Sequence, residues 1–246
     1  MNQLDHPASV VAVFGSQGSG KTTWCSAYIA NHRARLRFLY DPEHEFSARF
    51  RLRPARTPRG LDESLATGWV CYQPEVMFPN DDPAGLEFFD AWSLAVCERI
   101  GGTKLFAFDE AQRYLSPHVT PPNLRTVVNR GRRRGLDVVF ISRSPMECGP
   151  KMRREITEVV TYHFTEPGDL EWLAAYGFDP ERVAALPLHA RIVRDRFGRE
   201  KSERATSPAR TAPGTERPAP GRRSPTSADA PPPTGPDRSP SSADGR

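Results

Sequence analysis

The 246 residues predict an α/β fold, a mainly parallel sheet flanked by helices, followed by a disordered carboxy-terminal tail. Three observations predict it. Short apolar runs alternate with helical patterns, the order in which parallel strands and their crossovers follow one another. The first run, Val10 to Phe14, is apolar throughout rather than alternating, as for a strand covered on both faces. From Glu200 to Arg246 there is no Val, Ile, Leu, Met, Phe, Tyr or Trp, and 10 of the 25 prolines fall there. Such a segment cannot bury enough apolar surface to offset the entropy of ordering it. Residues 1–199 are therefore expected to form one domain and residues 200–246 the tail.

After the first strand come a glycine-rich turn, a helix from about Lys21 to His32 and a second strand, Leu36 to Tyr40. The stretch from Asp41 to Pro58 reads as charged and turn-rich, and a weaker strand follows at Trp69 to Tyr72. Between Ala84 and Ile100, Phe89, Trp92, Val96 and Ile100 recur at intervals of three and four, which marks an amphipathic helix whose aromatic stripe packs in the core. Leu105 to Phe108 is the next strand, followed by a helix from about Asn123 to Arg133 and a strand from Asp137 to Ile141. A strand at Val159 to Phe164, helices at Asp169 to Tyr176 and Pro180 to Ala185, and a closing strand at Ala190 to Val193 complete the domain.

Charge is nearly balanced, 34 Lys and Arg against 30 Asp and Glu, so no global field points to nucleic acid and any basic site must be local. Cys25, Cys71, Cys97 and Cys148 match no zinc, redox or disulfide spacing. Neither a signal peptide nor a run long enough to span a membrane is read, which makes a cytoplasmic protein the expectation.

The chemistry is concentrated at Gly15-Ser16-Gln17-Gly18-Ser19-Gly20-Lys21-Thr22, which satisfies G-x-x-x-x-G-K-[ST] in full between a buried strand and a helix, with Thr23 adjoining. Glycines let backbone N–H groups turn in around an anion, and the helix adds its positive end. In this reading Lys21 reaches the β and γ phosphates of ATP and the Thr22 hydroxyl ligates Mg²⁺; the alternative is a glycine-rich turn that binds nothing. Asp109, at the end of Leu105 to Phe108, suits the Mg²⁺ shell, and Glu110 suits polarising a water for attack on the γ-phosphate. The bland reading of Glu110 is a carboxylate favoured at a helix amino terminus. His44 lies where it approaches the nucleotide or, as surface histidines more often do, solvent.

Three stretches carry a family resemblance. Tyr40-Asp41-Pro42-Glu43-His44-Glu45-Phe46 resembles the D-P-x-x-E-[FY] element of the HerA branch of the FtsK and HerA translocases. Asp109-Glu110-Ala111-Gln112 is similar to the D-E-A-Q box of that superfamily and of zonula occludens toxin-like filamentous phage proteins. Gly131-Arg132-Arg133-Arg134-Gly135-Leu136-Asp137, the strand after it and Ser142-Arg143-Ser144-Pro145 resemble the G-R-x-x-G-[IL]-[HD], strand, T-Q-R-P stretch of FtsK-like motors. The segment from Tyr162 to Gly198 is similar to the end of small HerA-like phage ATPases.

The resemblance implies a P-loop NTPase fold of the RecA and ASCE-like kind, and an ATP-hydrolysing DNA motor most like the small ATPases that package viral genomes. It implies a homo-oligomeric ring, a hexamer, working on DNA with capsid or phage assembly proteins in the host cytoplasm or in the virion. Arg132 matches the family's arginine finger, which completes a neighbouring subunit's site; a patch on DNA phosphate and a solvated helix end are the competing readings. Where the family has a γ-phosphate-sensing Gln, this chain has Arg143, which either contacts the phosphate or points away. Two further functions stay open: a filamentous phage assembly and export ATPase, and a nucleotide-dependent assembly switch without translocation.

Overall fold

The computed structural model describes residues 8–115, 121–131 and 134–201. Among them, seven strands form one sheet: β1 (Val10–Phe14), β2 (Leu36–Tyr40), β3 (Trp69–Tyr72), β4 (Lys104–Phe108), β5 (Leu136–Ser142), β6 (Glu158–Thr161) and β7 (Ile192–Asp195), in the order β3-β2-β4-β5-β1-β6-β7. All neighbours are parallel except β7, which runs antiparallel to β6. The helices are α1 (Lys21–Asn31), α2 (Glu45–Phe50), α3 (Pro58–Ser64), α4 (Pro74–Met77), α5 (Asp82–Arg99), α6 (Gln112–Leu115), α7 (Pro122–Gly131), α8 (Pro150–Arg153), α9 (Pro167–Ala175) and α10 (Pro180–Ala184).

Strand alternation divides the core into two layers. Val10, Ala12 and Phe14 face one side with Phe38, Phe106, Phe108 and Phe140, and there meet α5 through Phe89, Trp92 and Val96, α7 through Leu124, Val127 and Val128, and α9 through Trp172 and Leu173. Val11 and Val13 face the other side, where Cys25 and Ile29 of α1 and Phe46 and Phe50 of α2 cover them. The aromatic stripe of α5 is core packing, as its spacing implies: Phe89 stacks on Tyr72, and the Trp92 ring meets Phe38 edge-on. The four cysteines are buried and free.

The differences from the sequence reading have local causes. Strand β6 stops at Thr161 rather than Phe164, because its partner β1 ends at Phe14, whose carbonyl takes the last ladder bond from Tyr162 N–H at 3.0 Å. Strand β7 runs later than expected, from Ile192 to Asp195. Helix α2 forms inside the stretch read as turns, because the buried Asp41 carboxylate accepts from Phe46 N–H at 2.9 Å and Ser47 N–H at 2.8 Å. Helices α3, α4 and α8 are four to seven residues long and each begins with proline, so they are too short to show a period. The hairpin after β7 continues to Lys201, two residues past the expected boundary at 199: Lys201 N–H donates to Val193 O at 2.9 Å, and the Arg182 guanidinium meets Glu200 at 2.7 Å. The rest of the tail lies outside the described residues.

Two registers place the site. Phe14 pairs with Ser142 and Phe108 pairs with Phe140, so β5 stands between β1 and β4 and reaches two residues beyond the end of β4. The turns that leave β1, β4 and β5 therefore meet at one edge of the sheet, the carboxyl edge.

Candidate functional site

The turn Gly15–Gly20 leaves the carboxyl end of β1 and enters α1. Gly18 and Gly20 have φ of 77° and 102°, which glycine adopts without the clash that Cβ brings. At Gly15 the demand is space, since a Cβ there lies 2.7 Å from Ser19 Oγ and 2.9 Å from Tyr162 Cβ. Ser16, Gln17 and Gly18 form the exposed crest of the loop, and Ser19 is buried with its hydroxyl unpartnered. The first turn of α1 has no side-chain cap and no acidic residue, so its positive end faces the loop's concavity.

Lys21 is buried and donates through Nζ to Ser16 O at 2.8 Å, folded back on its own loop. Burial pulls its ammonium below the ordinary lysine value, Glu110 and Asp109 oppose that, and Arg143 adds to it. Thr22 is half-buried at the head of α1, and Thr23 is exposed with its hydroxyl accepting from Arg49 Nη2 at 3.3 Å. A cavity of about 550 Å³ opens against the loop, lined by Gly18 to Trp24, by Glu45 and Arg49 of α2, and by Tyr162, His189 and Arg191.

The acidic pair is held by both neighbouring strands: Asp109 N–H donates to Tyr40 O of β2 at 3.0 Å and Ala111 N–H to Ile141 O of β5 at 2.8 Å. Between these anchors Glu110 takes φ 46°, a left-handed conformation that costs a non-glycine residue about 1–3 kcal/mol and collects at functional sites. Asp109 is buried, and burial, then the neighbouring Glu110, with Asp41 and Glu45 further off, push its pKa up to about 7 against the opposing hydrogen bond from Glu110 N–H. A carboxyl raised by burial and by neighbouring acids is a hard-oxygen donor whose cost a divalent cation such as Mg²⁺ relieves, and the Thr22 hydroxyl at the head of α1 is of the same donor class, so the residues present fit that ion.

The Glu110 carboxylate is itself partnered. Gln112 donates to it through Nε2, and Arg143 Nε lies 3.2 Å from Oε1 and 3.1 Å from Oε2. The Arg143 side chain is 53% exposed and that of Glu110 14%. A pair open to water on one side contributes about 0–1 kcal/mol.

The structure thus brings Gly15 to Thr23, Asp109, Glu110 and Arg143 to one edge. It does not bring Gly131 or Arg134 there. Arg132 lies outside the described residues; its neighbours Gly131 and Arg134 precede β5, at the opposite edge, about 20 Å from the loop by strand rise. His44 is exposed and its Nε2 lies 2.9 Å from Glu75. Two braces on the loop went unread in the sequence. Tyr162 donates its hydroxyl to Gly20 O at 3.2 Å, and His189 Nδ1 lies 3.1 Å from Ser19 O, a carbonyl that accepts from it. Neither lies in a motif, since Tyr162 belongs to an apolar run and His189 to a loop.

No protein-family model matches the sequence, and no curated protein matches it. Among solved structures, the chain is similar to the genome packaging NTPase B204 from Sulfolobus turreted icosahedral virus 2 in complex with AMP, with TM-score 0.64 and 19% identity over 81% of this chain and 98% of that one. The ATP-gammaS complex of B204 gives TM-score 0.62 and 18% identity over 80% and 96%. VirB4 of Thermoanaerobacter pseudethanolicus gives TM-score 0.55 and 11% identity over 76% and 87%. At these identities the likeness establishes the fold, that of the P-loop NTPases.

Proposed function

We propose that the protein is a Mg²⁺-dependent ATPase that moves DNA as a ring of identical subunits, packaging a viral or phage genome. The observation that carries the hydrolytic reading is the gathering of Lys21 after β1 and of Asp109 and Glu110 after β4 at the carboxyl edge, on either side of β5, beside a loop whose helix end is uncapped. B204, a genome packaging NTPase holding adenine nucleotides, supports the choice of substrate and task by its fold.

In this reading the phosphates of ATP occupy the turn Gly15–Gly20, and Lys21 leaves Ser16 O to reach the β and γ phosphates. Thr22 and Asp109 hold Mg²⁺, which supplies neutralisation of the phosphate charge. Glu110 orients a water in line with the γ-phosphorus and takes a proton from it. As the new O–P bond forms, the bond from phosphorus to the β,γ-bridging oxygen breaks, ADP leaves with its electron pair, and inorganic phosphate is released. Arg132, whose described neighbours Gly131 and Arg134 lie at the edge opposite their own loop, serves the neighbouring subunit of the ring, a hexamer by family resemblance. DNA, capsid or phage assembly proteins are the partners, and the host cytoplasm or virion the place of action.

Steady-state phosphate release with and without DNA tests the motor. DNA raises the rate severalfold or more if the reading holds, whereas turnover indifferent to DNA in an assembled ring favours the assembly switch. For Arg132, Arg132→Ala subunits are mixed with Lys21→Ala subunits. Activity recovered in mixed rings supports action in trans, and full activity of Arg132→Ala alone eliminates the finger.

A further inference from the structure

Strand β5 separates the phosphate loop from the acidic turn, so the residue leaving its carboxyl end stands between them. That residue is Arg143. Its Nε spans both oxygens of Glu110, the carboxylate assigned to the water. Phe14, from which the loop departs, pairs with Ser142, the residue before Arg143, so the guanidinium leaves the sheet beside the loop assigned to the phosphates. We propose that Arg143 exchanges partners during the cycle, neutralising Glu110 in the nucleotide-free site and swinging onto the γ-phosphate when a triphosphate binds, so that Glu110 is freed for water only when there is a bond to cleave.

Three features support the exchange. The arginine of the pair is half exposed and therefore easily traded, while a guanidinium on a phosphate makes short charge-assisted bonds. Glu110 keeps a second tether in Gln112, so losing Arg143 leaves the carboxylate in place. Glu43 and Glu147 are further carboxylates that favour the charged guanidinium of Arg143, whose side chain stays about half exposed. A Gln at this place carries no charge to trade, so the device belongs to the arginine.

The inference rests on the ATPase reading, and the test separates the two. Equilibrium affinities of the full chain for ADP and for ATPγS, each with Mg²⁺, are measured in the parent, Arg143→Ala, Glu110→Gln and the double variant, with melting curves confirming that each is folded. Arg143→Ala is expected to weaken ATPγS about tenfold and leave ADP within about twofold, because the diphosphate lacks the group that Arg143 engages. Glu110→Gln releases Arg143 beforehand and tightens ATPγS by about three- to tenfold, a gain that disappears in the double variant. An ATPγS to ADP ratio unchanged by Arg143→Ala overturns the exchange and leaves the ATPase reading standing. A Glu110→Gln gain that survives in the double variant is plain charge repulsion and overturns it too. Failure of the parent to bind either nucleotide overturns the reading of the site and the exchange with it.

Discussion

Lys21 and Lys104 are both buried lysines of the same sheet, one at its carboxyl edge and one at its amino edge. Lys104 is closed in by backbone, with Nζ donating to Gly102 O at 3.0 Å and Arg134 O at 3.4 Å, so it ties β4 to the turn that enters β5. Lys21 has one loop carbonyl and faces Glu110, Asp109 and Arg143 across a site built for an anion. The aspartates repeat the contrast. Asp137, at the amino edge, accepts from Ser9 N–H at 2.6 Å and Ser9 Oγ at 3.0 Å and lies 3.2 Å from His32 Nε2. Asp109, at the carboxyl edge, is buried among other acids. One edge satisfies its polar groups within the protein, and the other holds charge and strain in readiness for a ligand.

The largest break of this comparison is a matched pair of lysine variants. Lys21→Ala should fold and lose ATP affinity by about 100-fold or more, whereas Lys104→Met should leave ATP affinity within about twofold, since the proposed site gives phosphate to the first lysine alone. Equal losses in a binding titration would erase the distinction between the edges.

The aspartates sharpen it through pH, because their shifts have opposite signs. Burial raises the Asp137 carboxyl, and hydrogen bonds from His32 and Ser9 outweigh it, leaving its pKa below the ordinary 3.8. Its stabilisation is therefore present above that value and lost as pH falls through the lowered one. Asp109, raised to about 7, contributes stability that is fully present below 3.8 and lost as pH rises through about 7. In metal-free buffer at pH 8, Asp109→Asn should raise the melting temperature by about 3 °C or more and Asp137→Asn should lower it by a similar amount. The Asp109→Asn difference closes near pH 4 and the Asp137→Asn difference closes only in stronger acid. Curves that run parallel to the parent's across this range would contradict both assignments.

The smallest effect is expected at the chain end. Deleting residues 202–246 should leave the melting temperature within error, while deleting from Glu200 also removes the contacts of Arg182 with Glu200 and Lys201 with Glu158 and lowers it by about 1–2 °C.

Legibility in the sequence divides along the same line. The central strands were readable because each is a short, largely apolar run, and the glycine-rich loop because eight residues in fixed order sit between a strand and a helix. The acidic pair was readable from its place at a strand end. The hidden part depends on which strands neighbour one another. Arg143 meets Glu110 only because β5 lies between β1 and β4, and Tyr162 and His189 reach the loop only because β6 pairs with β1. Helix α2 was missed because its cap, Asp41, sits four residues ahead of it and acts through a side chain.

The central claim, that the carboxyl edge hydrolyses ATP with Glu110 holding the water, is tested most directly by phosphate release measured beside nucleotide binding in Glu110→Gln. The expected result is ATP bound at least as tightly as by the parent and turnover slower by about 10²-fold or more. Turnover at the parent rate with ATP bound would contradict it.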